Sequence, residues 1–318
     1  MLAGAIGACS SDPVPSIASR SPTPTPFVVA SWELREVQLP GPHDRAVITD
    51  VSPDGTLIVF RDARVYDPQY LLRAGAAVSP LAPPGHTPGA PVWVEMFGDG
   101  HRLLVQEQGA GWVYDAATNG FASIPQPPNA TDTEFAPLPD GRIGALTGSR
   151  ASFEFGGITD TRVWLYDPSS ERYEQLGSRH DAISLISIVA GIAVLVDMSP
   201  SHDNSEWVVV VLGWDGVDRD LYHFNGSVQN FALAPDASHI AFSREAAGLG
   251  GNWLVDLATG SETRLPDGAI DPERGMRFSP DGTQVALIFA DGHSEAYDLD
   301  GSTLTSIASP TVGWFGVP

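Results

Sequence analysis

The chain has 318 residues, 42% of them hydrophobic, enough to bury a large core in one or two domains. Its 17 basic residues, all Arg, stand against 39 acidic ones, for a net charge of −22. That charge repels phosphate backbones and anionic lipid, which argues against nucleic acid as a partner and against membrane attachment through a basic patch.

The N-terminal stretch "MLAGAIGACSSDPVPSIASRSPTPTP" divides at Cys9, the single cysteine. Residues 1–8 are small and apolar. Residues 9–26 are rich in Ser, Thr and Pro, a composition that cannot build a core and favours an extended tether. Ile6-Gly7-Ala8-Cys9 resembles the lipobox of bacterial lipoproteins, in which a signal peptidase cuts before a cysteine that is then diacylated. The resemblance implies a partial signal segment, a lipid on Cys9, and an extracytoplasmic protein that meets the membrane only through that anchor. The apolar stretch is short and lacks a charged n-region, as expected if the start site is set too late.

Residues 27–318 read as one domain. After the strand-like "FVVASWELREVQLP" come "AVITDV", the turn "VSPDG" (Val51 to Gly55), the apolar run "TLIVF" and then "RVYDPQ". The pattern returns as "FGDG" (Phe97 to Gly100), "HRLLVQ" and "WVYDAATNG". It returns again as "LPDG" (Leu138 to Gly141), "RIGAL", "WLYDPSS" and "RYEQLG". A degenerate copy follows in "ISLISIVAGIAVLVD", with Ala190-Gly191 as its turn and "VVVVLGWDG" in the later place. "APDA" (Ala234 to Ala237), "HIAFS", "WLVDLATG" and "SETRLP" make a fifth. "FSPDG" (Phe278 to Gly282), "TQVALIF", "AYDLDG" and "STLTSI" make a sixth. Asp54, Asp99 and Asp140 are spaced by 45 and 41 residues, and Asp236 and Asp281 again by 45.

Each unit predicts four antiparallel strands. Pro presets φ at the second turn position, and Asp-Gly supplies a residue that accepts positive φ. The second strand is almost continuously apolar, as for a strand buried on both faces. The fourth is polar and alternating, as at a water-facing edge. No segment shows helical periodicity. The predicted fold is therefore all-β, a propeller of four-stranded blades in six full repeats. The Ser-Pro-Asp-Gly turn followed by a Tyr-Asp or Val-Asp strand resembles the TolB-like, WD-repeat-like β-propellers of bacterial envelope proteins, over about Arg45 to Ser309. "FVVASWELREVQLP" and the final "TVGWFGVP" remain. They are read as an incomplete seventh blade, with the C-terminal piece innermost. The alternative is a reinforced joint in a six-bladed ring.

No Gly-x-Ser-x-Gly elbow, zinc-spaced Cys/His cluster or phosphate-binding Gly-rich loop is present. The preferred function is a non-catalytic module that binds an envelope protein, a peptide or a glycan through rim loops and the central funnel. The alternative is a lactonase-like hydrolase or lyase with a metal-assisted site at the channel. Before the inner turns most residues are apolar; Asp50, Glu95 and Glu134 are exceptions and are candidates to face the channel. His180, His202 and Asp203 are candidates on rim loops, and Trp207 and Trp214 flank a loop. Trp93, Trp164 and Trp253 sit in strands and are assigned to packing between blades. Asp215, Asp218 and Asp220 are read first as an inter-strand turn and second as a calcium site; no other cofactor is expected.

Overall fold

A computed structural model describes residues 29–40, 46–62, 69–130, 132–138, 140–150, 158–180, 182–189, 192–197, 206–212, 218–225, 227–245, 250–271 and 275–317. Among them there is no helix. Each repeat contributes one four-stranded antiparallel sheet from consecutive strands. The sheets are β2–β5 (Ala46–Val51, Leu57–Asp62, Gln69–Arg73, Ser79–Leu81), β6–β9 (Val92–Met96, Arg102–Glu107, Ala110–Asp115, Gly120–Ile124) and β10–β13 (Asp132–Pro137, Ile143–Arg150, Ile158–Asp167, Arg172–His180). They continue with β14–β17 (Ala182–Val189, Ile192–Asp197, Glu206–Leu212, Asp218–Asn225), β18–β21 (Ser227–Leu233, His239–Glu245, Gly251–Asp256, Ser261–Arg264) and β22–β25 (Met276–Phe278, Gln284–Ile288, Ser294–Asp298, Thr303–Ile307). The two ends of the domain pair with each other: β1 (Ser31–Glu36) runs antiparallel to β26 (Val312–Val317), from Ser31 opposite Val317 to Glu36 opposite Val312. The first strands of successive sheets touch in order around an axis, and β26 touches β2. This is a β-propeller.

Side-chain alternation explains why the second strands read as continuously apolar. In β3, Leu57 and Val59 pack on Val92, Val94, Leu103 and Val105 of the following sheet. Ile58 and Phe60, pointing the other way, pack on the opposite side with Val37 and Phe315. In β23, Val285 and Leu287 meet Ala241 and Leu254, while Ala286 and Ile288 meet Leu34, Val312 and Trp314. Period-two alternation thus serves two neighbouring sheets, and both faces must be apolar. Each such side chain, fully withdrawn from water, contributes about 1.5–3 kcal/mol before entropy is counted.

The turns owe their sequence to local hydrogen bonding. In the first, Gly55 (φ 69°) donates its N–H to the Ser52 carbonyl at 2.8 Å. Asp54 Oδ1 accepts from the Ser52 hydroxyl at 2.7 Å, the Thr56 N–H at 3.0 Å and the Thr56 hydroxyl at 2.7 Å. Asp281 repeats this with Ser279 at 2.6 Å and the Thr283 N–H at 3.1 Å. The third-strand aspartates do the same for the next turn; Asp115 Oδ1, for example, accepts the Ala117 N–H at 2.7 Å. The repeated aspartates are turn formers.

The first repeat departs from the expected register. Of "RVYDPQ", residues 64–68 lie outside the described residues, and the strand that pairs with β3 is Gln69–Arg73. Arg73 pairs with Leu57 where Asp115 pairs with Arg102 and Asp298 with Gln284. An arginine therefore occupies the place of the strand-ending aspartate, which hid the strand from motif matching. The fourth strands are as expected: β21 and β25 are largely exposed.

Candidate functional site

Sheets are held together at the axis by side chains that bond the next sheet's backbone. Gln69, 2% exposed, donates its Nε2 to the Val92 carbonyl at 2.8 Å. Gln106 donates to the Phe135 carbonyl at 2.7 Å and accepts the Phe135 N–H at 2.7 Å. Asp50 belongs to this set. At a bulge in β2, its Oδ1 accepts the Val51 N–H at 2.9 Å and its Oδ2 the Met96 N–H on β6 at 2.8 Å. Burial raises the Asp50 pKa, opposed by those two N–H groups and by Arg277. Both carboxylate oxygens are committed to backbone.

Glu95 differs. It stands on β6 beside Trp93, two residues apart and on the same face, while Val92 and Val94 are buried between sheets. Trp93 is 49% exposed, which corrects its assignment to packing between blades. Trp93, like Glu95, lies on a face of the innermost strand that is left open at a cavity. Enclosure raises Glu95 to a pKa of about 8, and the charges of Glu134 on β10 and Asp50 on β2 push the same way. Glu95 keeps an open surface at the cavity while the inner strands around it hold its carboxyl in a poorly solvating setting.

A cavity of about 290 Å³ lies here, walled by Thr49, Arg61, Gln69, Trp93, Glu95 and Arg277 together with Val47, Val92 and Val94. A smaller one, about 130 Å³, shares Thr49 and Arg277 and adds Asp50, Gly313 and Trp314. Arg277 Nη1 reaches the Thr49 carbonyl at 3.5 Å, bringing β22 to the same place. The site therefore joins three carboxylates, two arginines and an open indole from β2, β3, β6, β10 and β22. Among the described residues no group of three or more His, Cys, Asp or Glu has the geometry to hold a metal ion.

Arg277 was not singled out from the sequence and Trp93 was assigned to packing, although a signal for each existed. Arg277 precedes Asp281 by the same four residues that separate Asp50 from Asp54 and Glu95 from Asp99. Trp93 has the strand spacing from Glu95.

The remaining candidates lie elsewhere. His180 is the last residue of β13, paired with Thr161, so it ends a strand instead of sitting in a rim loop; β12 and β13 pair for longer than the repeat suggested. Trp207 pairs with Phe224 inside β16–β17. Asp218 and Asp220 lie on β17 opposite Leu212 and Val210, so the strand begins where a turn was expected. Cys9, His202, Asp203, Trp214 and Asp215 lie outside the described residues.

No protein-family model matches the chain, and a search of curated proteins finds no match. Solved structures match its fold. TolB from Acinetobacter baumannii aligns with a TM-score of 0.53 at 13% identity, over 86% of this chain and 67% of that one. A protein of unknown function from Desulfotomaculum acetoxidans gives 0.52 at 13% identity, over 86% and 90%. A candidate TolB from Agrobacterium tumefaciens gives 0.50 at 18% identity, over 76% and 94%. The fold is that of a TolB-like β-propeller.

Proposed function

We propose that this chain is a non-catalytic binding module of a bacterial envelope, lipid-anchored at Cys9 and presenting its rim loops and axial funnel to a protein, peptide or glycan. In this reading the β1–β26 pair is an incomplete seventh blade. One observation carries the functional reading. At the axis, Asp50 and Gln69 are spent on backbone bonds that hold sheets together, while Trp93 and Glu95 on the same wall face an open cavity. A rigid frame with a few unspent polar and aromatic groups at a concave mouth is what recognition requires. The likeness to TolB propellers supports an extracytoplasmic setting. His180, Trp207, Trp214, His202 and Asp203 are kept as further binding candidates, and Asp215, Asp218 and Asp220 as a calcium candidate.

The test is affinity capture from envelope extract with the intact protein and with a Trp93→Ala, Glu95→Gln double variant. A partner retained by the first and lost by the second supports the reading. Equal retention by both refutes a role for the funnel. Membrane fractionation of Cys9→Ala tests the anchor: release is expected, and unchanged retention removes lipidation from the account.

The second reading, a hydrolase or lyase, is favoured by Glu95 alone. A carboxyl that holds its proton near neutral pH is a candidate general acid. Turnover in a panel of esters and lactones, lost in Glu95→Gln, would establish it.

A further inference from the structure

We propose that the axial cavity binds a basic side chain, a lysine ammonium or an arginine guanidinium, presented by a partner peptide, with Trp93 as its platform and Glu95 and Glu134 as its counter-charges. The inference rests on the reading above that the funnel receives a partner, and it names the chemistry that the funnel selects.

The first argument is the open indole. Trp93 is one of two large hydrophobic residues this exposed among the described residues, and it is on an inner strand, at the cavity wall. An aromatic face beside carboxylates attracts cations, because the ring quadrupole and the carboxylate charge act in the same sense. The second is the carboxylate beside the indole: of the two arginines that share the cavity wall with Glu95, Arg61 bonds the Asp62 carbonyl at 3.2 Å and Arg277 faces Asp50 and the Thr49 carbonyl. The groups that bear on Glu95 are Glu134 on β10 and Asp50 on β2, both negative. An added cation next to Glu95 favours its ionised form against the desolvation and the neighbouring acids that raise its pKa. The third is independent of the acids. Trp314 is 7% exposed, lines the adjoining cavity with Asp50 and Arg277, and its indole N–H is buried without an acceptor. A buried donor left open suits a ligand carbonyl, and a peptide brings one with every residue. A bare metal ion would satisfy neither indole.

The experiment is calorimetric titration of the intact protein with an acetylated tri-lysine amide, at moderate salt to screen the general field of an acidic protein. The acetyl-lysine version of the same peptide serves as the neutral probe. Saturable binding is expected for the first and none for the second. Trp93→Ala should weaken binding about ten-fold and Trp93→Phe much less. Glu95→Gln should weaken it similarly and abolish the proton release that accompanies binding below pH 8 in the wild type. Glu33→Gln on the exposed strand β1 makes the same side-chain replacement away from the axis and should leave affinity unaltered. Thermal melts identify any variant that fails to fold, and Trp93→Phe then decides. Equal losses in Glu33→Gln and Glu95→Gln, or no saturable heat from the tri-lysine peptide, overturn the inference. Capture of a partner that survives such a result leaves the binding-module reading standing and removes only the basic side chain.

Discussion

Gln106→Ala should be among the most destabilising substitutions in the chain that touch no apolar contact. Gln106 is 8% exposed and Phe135 1%, and the two bonds between them, both 2.7 Å, join consecutive sheets next to the axis. Truncation leaves the Phe135 N–H and C=O buried with no replacement. Each orphaned group costs about 1–3 kcal/mol, so the sum is about 2–6 kcal/mol, a large part of a domain's net stability. Gln106→Leu fills the volume and leaves both groups unmet, so it should lose nearly as much. Gln126, which donates to the Gly109 carbonyl and accepts from the Thr133 hydroxyl, both at 2.7 Å, is the control; Gln126→Ala leaves one buried hydroxyl unmet instead of two backbone groups and should cost about half as much. The assay is urea unfolding followed by tryptophan fluorescence, reading the midpoint at constant slope. A Gln106→Ala loss no larger than that of Gln126→Ala would show that the sheets are held by apolar packing alone.

Other substitutions test other parts of the argument. Ala237 holds φ 56° in the fifth repeat's turn, where the other repeats have Gly; Ala237→Gly should stabilise the protein by about 1 kcal/mol in the same assay. A methyl group on Gly313 would lie 2.5 Å from Val51 Cγ2, so Gly313→Ala should cost about 1–3 kcal/mol, and Val51→Ala should recover part of it. Asp54→Ala removes the acceptor for Ser52 and Thr56 and should cost about 1–2 kcal/mol, seen as a lower melting midpoint. Glu95 gives a pH signature. Its folded pKa, about 8, lies above its ordinary 4.5, so between those values the folded state holds more protons than the unfolded one. Its contribution to stability therefore falls as pH rises through that window and levels off above about 8. Glu95→Gln should flatten this slope and exceed the wild type in stability at alkaline pH; a parallel pair of stability–pH curves would show that Glu95 is not shifted. Asp54, Asp99 and Asp140 act in the opposite sense. Burial works against their ionisation, but hydrogen bonds, joined by nearby positive charge, hold them below 3.8, and their stabilisation is lost only in acid.

What could be read from the sequence was whatever physics keeps local. Ser52, Asp54 and Gly55 make their bonds within a few residues, so the motif that marks a turn also causes it. The two-faced apolar strands were legible for the same reason, since one residue's direction fixes the next. Arg73 shows the limit: pairing with Leu57 defined the third strand of the first repeat, and nothing in "QYLLR" matched its counterparts. The site was half legible. Asp50, Glu95 and Glu134 stood out because a charge before an inner turn is unusual, but that Asp50 is bound to Met96 and Glu95 is free to meet a ligand depends on strands 46 residues apart. Trp93 was misjudged from its residue type, which favours packing, when its location on an innermost strand decides its exposure.

The pairing of β1 with β26 has a consequence for how the molecule comes into being. Every other sheet can form as its own stretch of chain emerges, but the clasp needs both β1 and β26, so the circle stays open until β26 has been made. Gly316 then donates its N–H to the Pro53 carbonyl at 2.8 Å, fastening the last strand to the first turn as well. Deleting β26 should accordingly unlatch the whole circle, whereas linking β26 directly to β1 and opening a new break in an outer hairpin should leave it shut.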